Sequence, residues 1–209
     1  MTLHGYFRST AAWRVRIALA LKGLPYDQAF LHLRRGEQRG PDFLEMNPQG
    51  LVPALVLDTG DVLTQSLAII EYLDETHLEP PLLPARPLSR AKVRAFAQAI
   101  ACDIHPVQNL RVLDRLRALG LKEPEVQAWA RDVIDQGLTA CERLIADETG
   151  PFAFGESPGL ADLCLVPQLS NARRFGADMR WDRLLTVEAA CAGLPAFVVS
   201  RPENQPDTE

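Results

Sequence analysis

The sequence predicts a two-domain α+β protein, in which a small mixed α/β domain precedes an all-helical domain. Three observations predict this class: short strand and helix signals alternate over the first eighty or so residues, prolines crowd the next stretch, and only helical signals follow. We expect the first domain to cover residues 1–80 and the second to cover residues 88–209. A chain of 209 residues is long enough for two modest domains, each with a core.

The first half has the order β-α-β, followed by a β-hairpin and a helix. The expected elements are strand 3–7, helix 11–21, strand 27–33, a basic loop 34–40, a helical turn 42–46, hairpin strands 54–57 and 62–63, and helix 65–76. Helix 11–21 ends at the sequence Gly23-Leu24-Pro25, which does not continue a helix. The sequence Asp58-Thr59-Gly60-Asp61 is typical of a tight turn between antiparallel strands.

The stretch from residue 79 to residue 87 contains four prolines in nine residues, so neither a helix nor a central strand fits there. We interpret it as the linker between the two domains. Beyond it, the apolar spacing predicts helices over 89–118, 124–147, 160–175 and 181–192, with a last short piece near Ala196. Pro106 is expected to disturb the first of these helices.

Composition and charge exclude several classes of function. Hydrophobic residues make up 47% of the chain and charged residues 23%, as in ordinary globular proteins, while the net charge of −5 argues against a general nucleic-acid binder. No apolar run approaches the ~18–20 residues that cross a bilayer. The first residues lack the pattern of a signal peptide. We therefore expect a cytoplasmic protein with neither nucleic acid nor membrane as a partner.

The four cysteines, at positions 102, 141, 164 and 191, are widely separated. They form no C-x-x-C pair, and no histidine lies at metal-ligand spacing from them. Each has an apolar helical context, which predicts small buried hydrophobes in the reduced state and no metal site.

The first candidate site is the passage from strand one into helix one. Ser9 and Thr10 lie there beside the free N–H groups and the positive dipole end of a helix, which can hold an anion. The first acidic residue is Asp27, so the arginines at positions 8, 14 and 16 have no carboxylate nearby in sequence. On position alone, a helix cap worth ~1 kcal/mol explains the hydroxyls better than a ligand does.

Two further segments carry similar signals. If the Val52–Pro53 bond is cis, the backbone N–H and C=O of Val52 point outward and can pair with an extended peptide ligand. An edge-strand proline without a ligand is the simpler alternative. Ser66 begins the next helix, where its hydroxyl can either cap the helix or help bind a carboxylate. Each signal alone is weak, but their order and spacing together are specific.

These three segments, in this order, resemble the glutathione transferases. In that family, a thioredoxin-like domain with a cis-proline precedes an all-helical domain that completes the substrate pocket. The similarity to the zeta class runs essentially end to end. The motifs that carry it are residues 6–9, 13–23, 65–73, 161–168 and 203–207. The resemblance implies a homodimer that binds glutathione as its cofactor.

The resemblance also implies roles for individual residues. The catalytic positions are Arg8, Ser9 and Thr10. The glutathione-binding positions are Ser9, Gln38, Val52, Pro53, Gln65, Ser66, His105 and Asn109. The positions that bind a dicarboxylate substrate are Arg8, His105, Arg111 and Arg174.

Two positions depart from the pattern of the class. The class usually reads Ser-Ser-Cys where this chain has Ser9-Thr10-Ala11, so the first hydroxyl is retained and the cysteine is absent. Gly159 stands where the family usually has the threonine of a helix-capping Thr-x-x-Asp. A glycine N-cap costs only a few tenths of a kcal/mol relative to threonine, so we expect that helix to form.

The activity implied is cis–trans isomerisation of maleylacetoacetate to fumarylacetoacetate, by reversible addition of the glutathione thiolate to the alkene. One alternative is maleylpyruvate isomerase, which performs the same chemistry on a shorter substrate. Others are a broad zeta-class transferase or dehalogenase that consumes glutathione, and a non-catalytic binding module. Arg8 and Arg111 weigh against the transferase, whose pocket is more often apolar.

Overall fold

In the computed structural model, which describes residues 1–209, four short strands form one mixed sheet. The strands are β1 (Thr2–Gly5), β2 (Asp27–Phe30), β3 (Ala54–Val56) and β4 (Val62–Thr64). Their order across the sheet is β2-β1-β3-β4, with β1 parallel to β2 and the other two neighbouring pairs antiparallel. The predicted hairpin is therefore confirmed as β3–β4.

Three helices accompany the sheet, namely α1 (Thr10–Leu21), α2 (Pro41–Met46) and α3 (Ser66–Thr76). Two 3-10 turns, Leu33–Arg35 and Glu37–Arg39, occupy the predicted basic loop. α1 packs against α3 and is buried along most of its length. This burial explains why its sequence is apolar on nearly every face rather than along one stripe.

The first two strands are shorter than predicted. β1 ends at Gly5 rather than residue 7, because the carbonyls of Tyr6 and Phe7 bond to the Arg16 guanidinium rather than to a neighbouring strand. β2 ends at Phe30 rather than residue 33, because His32 caps the following 3-10 turn, with its Nδ1 accepting from the Arg35 amide at 3.2 Å.

The helical part contains five long segments, α4 (Pro87–Gln98), α5 (Leu110–Ala118), α6 (Glu123–Leu144), α7 (Leu160–Arg174) and α8 (Asp182–Ala192), and one π-helical turn, Ala99–Ile104. The predicted two-domain α+β class is confirmed. The prediction of one helix over 89–118 is wrong. The chain changes to π geometry after Gln98, and the residues between Ile104 and the start of α5 at Leu110 are not helical. α6 packs on the π-helical turn, and Gly137 provides the space for Ile104 there.

Contacts group the chain into two units, one formed by Met1–Leu82 with Ala192–Glu209 and the other by Leu83–Cys191. The sequence boundary of the second domain, 88–209, differs from this grouping at the C-terminal end. The last residues, including α9 (Pro195–Val199), join the first unit because α9 packs on α1. Two hydrogen bonds add to this contact, one from Arg16 to the Ser200 carbonyl and one from the Phe7 amide to Asp207. Such long-range contacts leave no periodic signal in the sequence.

The proline-rich stretch begins at a buried ion pair. The ammonium of Lys22 lies 3.0 Å from Asp74 Oδ1 and also donates to the carbonyls of His77 and Pro80, at 2.6 and 2.8 Å. The same Asp74 oxygen accepts from the Leu82 amide at 2.7 Å. The charges are satisfied by several polar partners, which a buried ion pair requires to be tolerated.

All four cysteines are free thiols, as predicted, and three of them are buried. Burial raises the pKa of Cys141 to about 12, so that thiol stays neutral. The expectation of burial is wrong for Cys102, which is exposed because it lies on the outward side of the π-helical turn.

No group of His, Cys, Asp or Glu side chains is arranged to hold a metal ion, and no helix is long and apolar enough to span a membrane.

Candidate active site

Ser9 lies where the chain enters α1, as the N-cap of that helix. Its backbone is extended, and its Oγ accepts a hydrogen bond from the Ala12 amide at 3.2 Å. A serine hydroxyl is an acceptor and a donor at once, so the cap uses the oxygen and leaves the hydrogen available for a bound anion. The cap and the anion-binding interpretations of Ser9 are therefore compatible.

Thr10 and Arg8 flank Ser9 in different environments. Thr10 is buried, and its Oγ1 has no hydrogen-bond partner in the protein. Arg8 is exposed, with its guanidinium carbon 5.1 Å from the centroid of the Phe7 ring. The first turn of α1 carries no acidic residue. The arginine and the helix dipole therefore both favour a negative charge at this end of α1.

Tyr6 lies close to Ser9 in sequence but is not a source of charge. Its hydroxyl is buried without a hydrogen-bond partner, and burial, together with the nearby Glu209 carboxylate, raises the pKa of the phenol. Tyr6 is therefore neutral at neutral pH, and the positive charge near this turn comes from arginines.

The Val52–Pro53 bond is cis, as the resemblance to the glutathione transferases implies. The preceding turn is organised by Asn47, whose Nδ2 donates to the Leu51 carbonyl at 2.7 Å and whose Oδ1 accepts from the Gln49 amide at 3.2 Å. The Val52 N–H and C=O make no hydrogen bond within the chain. This leaves both backbone groups of Val52 available to an extended ligand, which is the arrangement that strand addition uses.

Gln65 and Ser66 form the start of α3. Gln65 has φ +69°, and it is the only residue other than glycine with a positive φ in the chain. Backbone in this region costs an ordinary side chain ~1–3 kcal/mol and is concentrated at functional sites. The Gln65 side chain does not cap α3; its Nε2 donates instead to Gln49 Oε1 at 2.9 Å. The first amides of α3 therefore lack a side-chain partner, which suits a carboxylate.

The structure brings the three predicted segments of the first unit together. The Gln65–Gln49 hydrogen bond joins the start of α3 to the turn before Val52. Arg14 NH1 donates to Ser66 Oγ at 3.3 Å and so joins α1 to α3. The carbonyl of Gln38 approaches Gly50 so closely that a Cβ there would lie 3.1 Å from it.

Gln38 lies in the 3-10 turn Glu37–Arg39 and is buried, although its neighbours in the turn are not. Its Oε1 has no hydrogen-bond partner in the protein. A buried polar atom without a partner is costly, so this oxygen is suited to accept from a ligand or from water.

His105, Asn109 and Arg111 follow one another in the second unit, between the π-helical turn and α5. The His105 amide donates to the Ile100 carbonyl at 2.9 Å, which fixes the backbone at the end of the turn. Asn109 is the N-cap of α5, and its Oδ1 accepts from the amides of Arg111 and Val112 at 3.1 and 3.4 Å. Arg111 is exposed in the first turn of α5.

The two arginines at the end of α7 differ in their partners. Arg173 forms a two-pronged ion pair with Glu188. Arg174 donates to Asn171 Oδ1, and its guanidinium carbon lies 5.0 Å from the centroid of the Phe175 ring. The choice of Arg174 rather than Arg173 as a substrate-binding residue remains a prediction, because no ligand contact tests either.

Sequence reasoning missed the residues that support the first unit from a distance. Gln49, Arg14 and Asp207 each bond to a predicted site segment, and none of them has a predicted role, although Arg14 and Asp207 lie in motifs that carry the family resemblance. The available signal was that Arg14 and Arg16 have no carboxylate nearby in sequence. It indicated an anion site but not burial.

Two family models match the chain. "Glutathione S-transferase, N-terminal domain" matches residues 8–76, and "Glutathione S-transferase, C-terminal domain" matches residues 107–194. The chain therefore belongs to the glutathione S-transferase family.

Full-length relatives narrow this to the zeta class. A maleylacetoacetate isomerase from Pseudomonas aeruginosa is 50% identical over 100% of this chain and 99% of its own, and a maleylpyruvate isomerase from Ralstonia is 45% identical over 100% of both. A solved zeta-class maleylpyruvate isomerase has a TM-score of 0.97 at 44% identity and full coverage of both chains. A maleylacetoacetate isomerase from Anaeromyxobacter dehalogenans, solved with bound glutathione, has a TM-score of 0.91 at 43% identity, covering 100% of this chain and 97% of its own.

Proposed function

We propose that this protein is a glutathione-dependent cis–trans isomerase that converts maleylacetoacetate to fumarylacetoacetate. The observation that carries the proposal is that hydrogen bonds connect three candidate glutathione-binding segments within the first unit. They supply the Ser9 hydroxyl at the start of α1, the unpaired backbone of Val52, and the uncapped start of α3 at Ser66. Relatives named maleylacetoacetate isomerase, in bacteria and in mouse, support the assignment.

The residues of the first unit fit glutathione by the chemistry of their polar groups. An extended peptide offers the N–H and C=O that complement the Val52 backbone. A γ-glutamyl carboxylate suits the α3 amides and the Ser66 hydroxyl, with the positive charge of Arg14 beside them. The buried Gln38 Oε1 suits an N–H donor. The proposed glutathione-binding residues are Ser9, Gln38, Val52, Pro53, Gln65 and Ser66 in this unit, and His105 and Asn109 in the helical unit.

When bound, glutathione supplies the thiolate nucleophile whose reversible addition allows rotation about the former double bond. The protein's task is to favour thiolate over thiol, whose ordinary pKa is ~8.5. Ser9 is proposed to donate its hydroxyl hydrogen to the sulfur, while the α1 amides and Arg8 favour the negative charge. Thr10 offers a second, buried hydroxyl at the same helix end.

The substrate carries two carboxylates, and negative charge moves onto its ketone oxygen during the reaction. Arginine binds a carboxylate through two parallel hydrogen bonds, so we assign Arg8, Arg111 and Arg174 to the substrate. His105 is proposed to donate a hydrogen bond where charge develops on the ketone. These roles are tested by substituting each residue in turn.

Maleylpyruvate is the alternative substrate, and two comparisons with known proteins support it. The Ralstonia relative bears that name, and the solved maleylpyruvate isomerase is as similar in fold as the maleylacetoacetate isomerases. The chemistry at the double bond is the same for both substrates. An assay must therefore compare the rates of turnover of the two substrates, which differ in length.

We also propose that the protein acts as a homodimer in the cytoplasm. Dimerisation is general in this fold family, and four free thiols suit a reducing compartment. Sedimentation of the purified protein at several concentrations tests the dimer directly.

The experiment that tests the activity is the decay of absorbance of each substrate, with and without glutathione, on the wild type, Ser9→Ala and Ser157→Ala. Ser157 is exposed and lies far along the chain from Ser9, which makes it a matched control. Loss of a hydrogen bond to a charged group predicts a fall of about 10- to 100-fold in kcat/KM for Ser9→Ala and none for Ser157→Ala. No turnover of either substrate with glutathione bound would contradict the isomerase and favour a transferase or a binding module.

A further inference from the structure

The C-terminal tail of the protein returns to the turn that precedes Ser9. Asp207 Oδ2 accepts a hydrogen bond from the Phe7 amide at 2.9 Å, across 200 positions of sequence. The other carboxylate oxygen of Asp207 is buried as well. The contact is therefore partly buried in the first unit.

Arg16 holds the same turn through its guanidinium. It is one of the largest fully buried side chains, and it donates from NH2 to the Phe7 carbonyl at 3.0 Å and from NH1 to the Tyr6 carbonyl at 3.5 Å. Its Nε donates to the Ser200 carbonyl at 3.1 Å, which ties the turn to the end of α9. Both backbone polar groups of Phe7 are thus held, the amide by Asp207 and the carbonyl by Arg16.

The charges of Arg16 and Asp207 support each other. Burial lowers the pKa of the Arg16 guanidinium to about 10, and the charges of Tyr26 and Asp207 act in the opposite direction. Arg16 is therefore protonated at neutral pH and needs a compensating charge nearby. The Asp207 carboxylate acts in that direction, and it is also the acceptor for the Phe7 amide.

The tail that carries Asp207 is held by hydrogen bonds among its own residues and with the end of α9. The Gln205 side chain donates to the carbonyls of Val199 and Arg201 at 2.9 and 2.8 Å, which closes the end of α9. The Thr208 amide donates to the Gln205 carbonyl at 3.1 Å. The backbone around Asp207 is consequently fixed by these hydrogen bonds.

We propose that Asp207 and Arg16 are positioning residues for Ser9, so that the C-terminal tail sets how strongly the protein activates the glutathione thiol. The link to Ser9 is direct, because the Ser9 amide donates to the Tyr6 carbonyl at 2.9 Å, within the turn that the two residues hold. This inference rests on the proposed function. It adds residues at the far end of the chain that touch neither glutathione nor substrate.

The test uses the full-length variants Asp207→Ala and Asp207→Asn, with Glu203→Gln as the control. Glu203 is an exposed carboxylate of the same tail and makes no side-chain hydrogen bond. The first measurement is hydrogen exchange of residues 6–9 without glutathione. The second is the titration of the bound glutathione thiol, followed by thiolate absorbance in the absence of substrate.

For Asp207→Ala we expect exchange of the Phe7 amide to quicken by about tenfold or more, and the pKa of the bound thiol to rise by about one unit. Asp207→Asn keeps an acceptor but lacks the charge, so its thiol pKa should lie between those of the wild type and Asp207→Ala. Glu203→Gln should match the wild type. If Asp207→Ala does not fold, Asp207→Asn decides, because a wild-type thiol pKa in that variant would overturn the inference.

A loss of thermal stability with an unchanged thiol pKa would reduce Asp207 to a structural residue and would also overturn the inference. Failure of the proposed function has a different signature. In that case the thiol of glutathione mixed with the wild-type protein titrates near ~8.5, as it does in free solution.

Discussion

Arg14 and Ser66 are buried neighbours on different helices, with the guanidinium NH1 donating to the serine Oγ at 3.3 Å. Arg14 lies in the second turn of α1, and Ser66 is the first residue of α3. The contact places a permanent positive charge at a helix N-terminus that has no side-chain cap. Electrostatics and free amides therefore favour an anion at the same point.

Ser66→Ala is expected to weaken glutathione binding by about tenfold, because one hydrogen bond to a charged carboxylate is lost. The thermal midpoint should also fall, because the buried Arg14 NH1 loses the acceptor that Ser66 Oγ provides. Titration calorimetry with glutathione measures the effect, and Ser157→Ala is the control. Equal affinities for the wild type and Ser66→Ala would show that the carboxylate binds elsewhere.

The Lys22–Asp74 pair predicts a large effect on stability. Lys22→Met leaves the Asp74 carboxylate buried without its main partner, which costs ~3–5 kcal/mol in buried pairs. The exposed pair of Arg180 and Asp135 is the comparison, and Asp135→Asn should cost less than ~1 kcal/mol. Urea unfolding of both variants provides the measurement. Similar small losses in the two variants would contradict the interpretation of Lys22 as a buried anchor.

Gly137 is predicted to be essential for the close packing of α6 on the π-helical turn. A Cβ at this position would lie 2.3 Å from Ile104 Cγ1, so Gly137→Ala forces one of the two segments to move. Overpacking of this kind costs ~1–3 kcal/mol.

The control for Gly137→Ala is a double-mutant cycle with Ile104→Ala, which removes the atoms that clash. The double variant should be more stable than the sum of the two single losses predicts. Strict additivity would show that the contact does not constrain this part of the helical unit.

Asp162 predicts a dependence of stability on pH. Its carboxylate accepts from the amides of Ala153 and Gly159, both at 2.8 Å, yet burial raises its pKa to about 6. In the unfolded chain an aspartate titrates near ~3.9, so the folded state holds the proton more tightly. The stability that this group contributes is complete below pH ~4 and is lost as the pH rises through about 6.

Asp162→Asn removes this titration, so the free energy of unfolding of the wild type should fall relative to the variant between pH 4 and 7. Urea unfolding at four pH values in this range measures the difference. A difference that is constant with pH would show that the carboxylate has an ordinary pKa in the folded protein.

Much of the first unit could be predicted because its signals are local. The helix stop at Gly23 and the turn at Asp58 to Asp61 each follow from a few neighbouring residues, whereas the cis bond before Pro53 is implied by the family resemblance. The three candidate site segments stand out in the same way, since each lies at the start of a helix or strand, and their roles stay predictions.

The rest could not be predicted because it depends on contacts between distant residues. The π-helical turn follows from packing of Ile104 against Gly137, and the attachment of the tail follows from Asp207 and Arg16. The apolar spacing of residues 99–104 suits an ordinary helix just as well. The partner that selects the observed geometry lies elsewhere in the chain.

The most direct test of the central claim, that glutathione acts as a catalyst, is a count of glutathione over many turnovers. Purified protein is given a large excess of maleylacetoacetate over glutathione, and free thiol and fumarylacetoacetate are measured together once the protein has been removed. We predict that the substrate is fully converted while total glutathione thiol is unchanged. Loss of thiol in step with the loss of substrate would contradict the isomerase and identify a conjugating transferase.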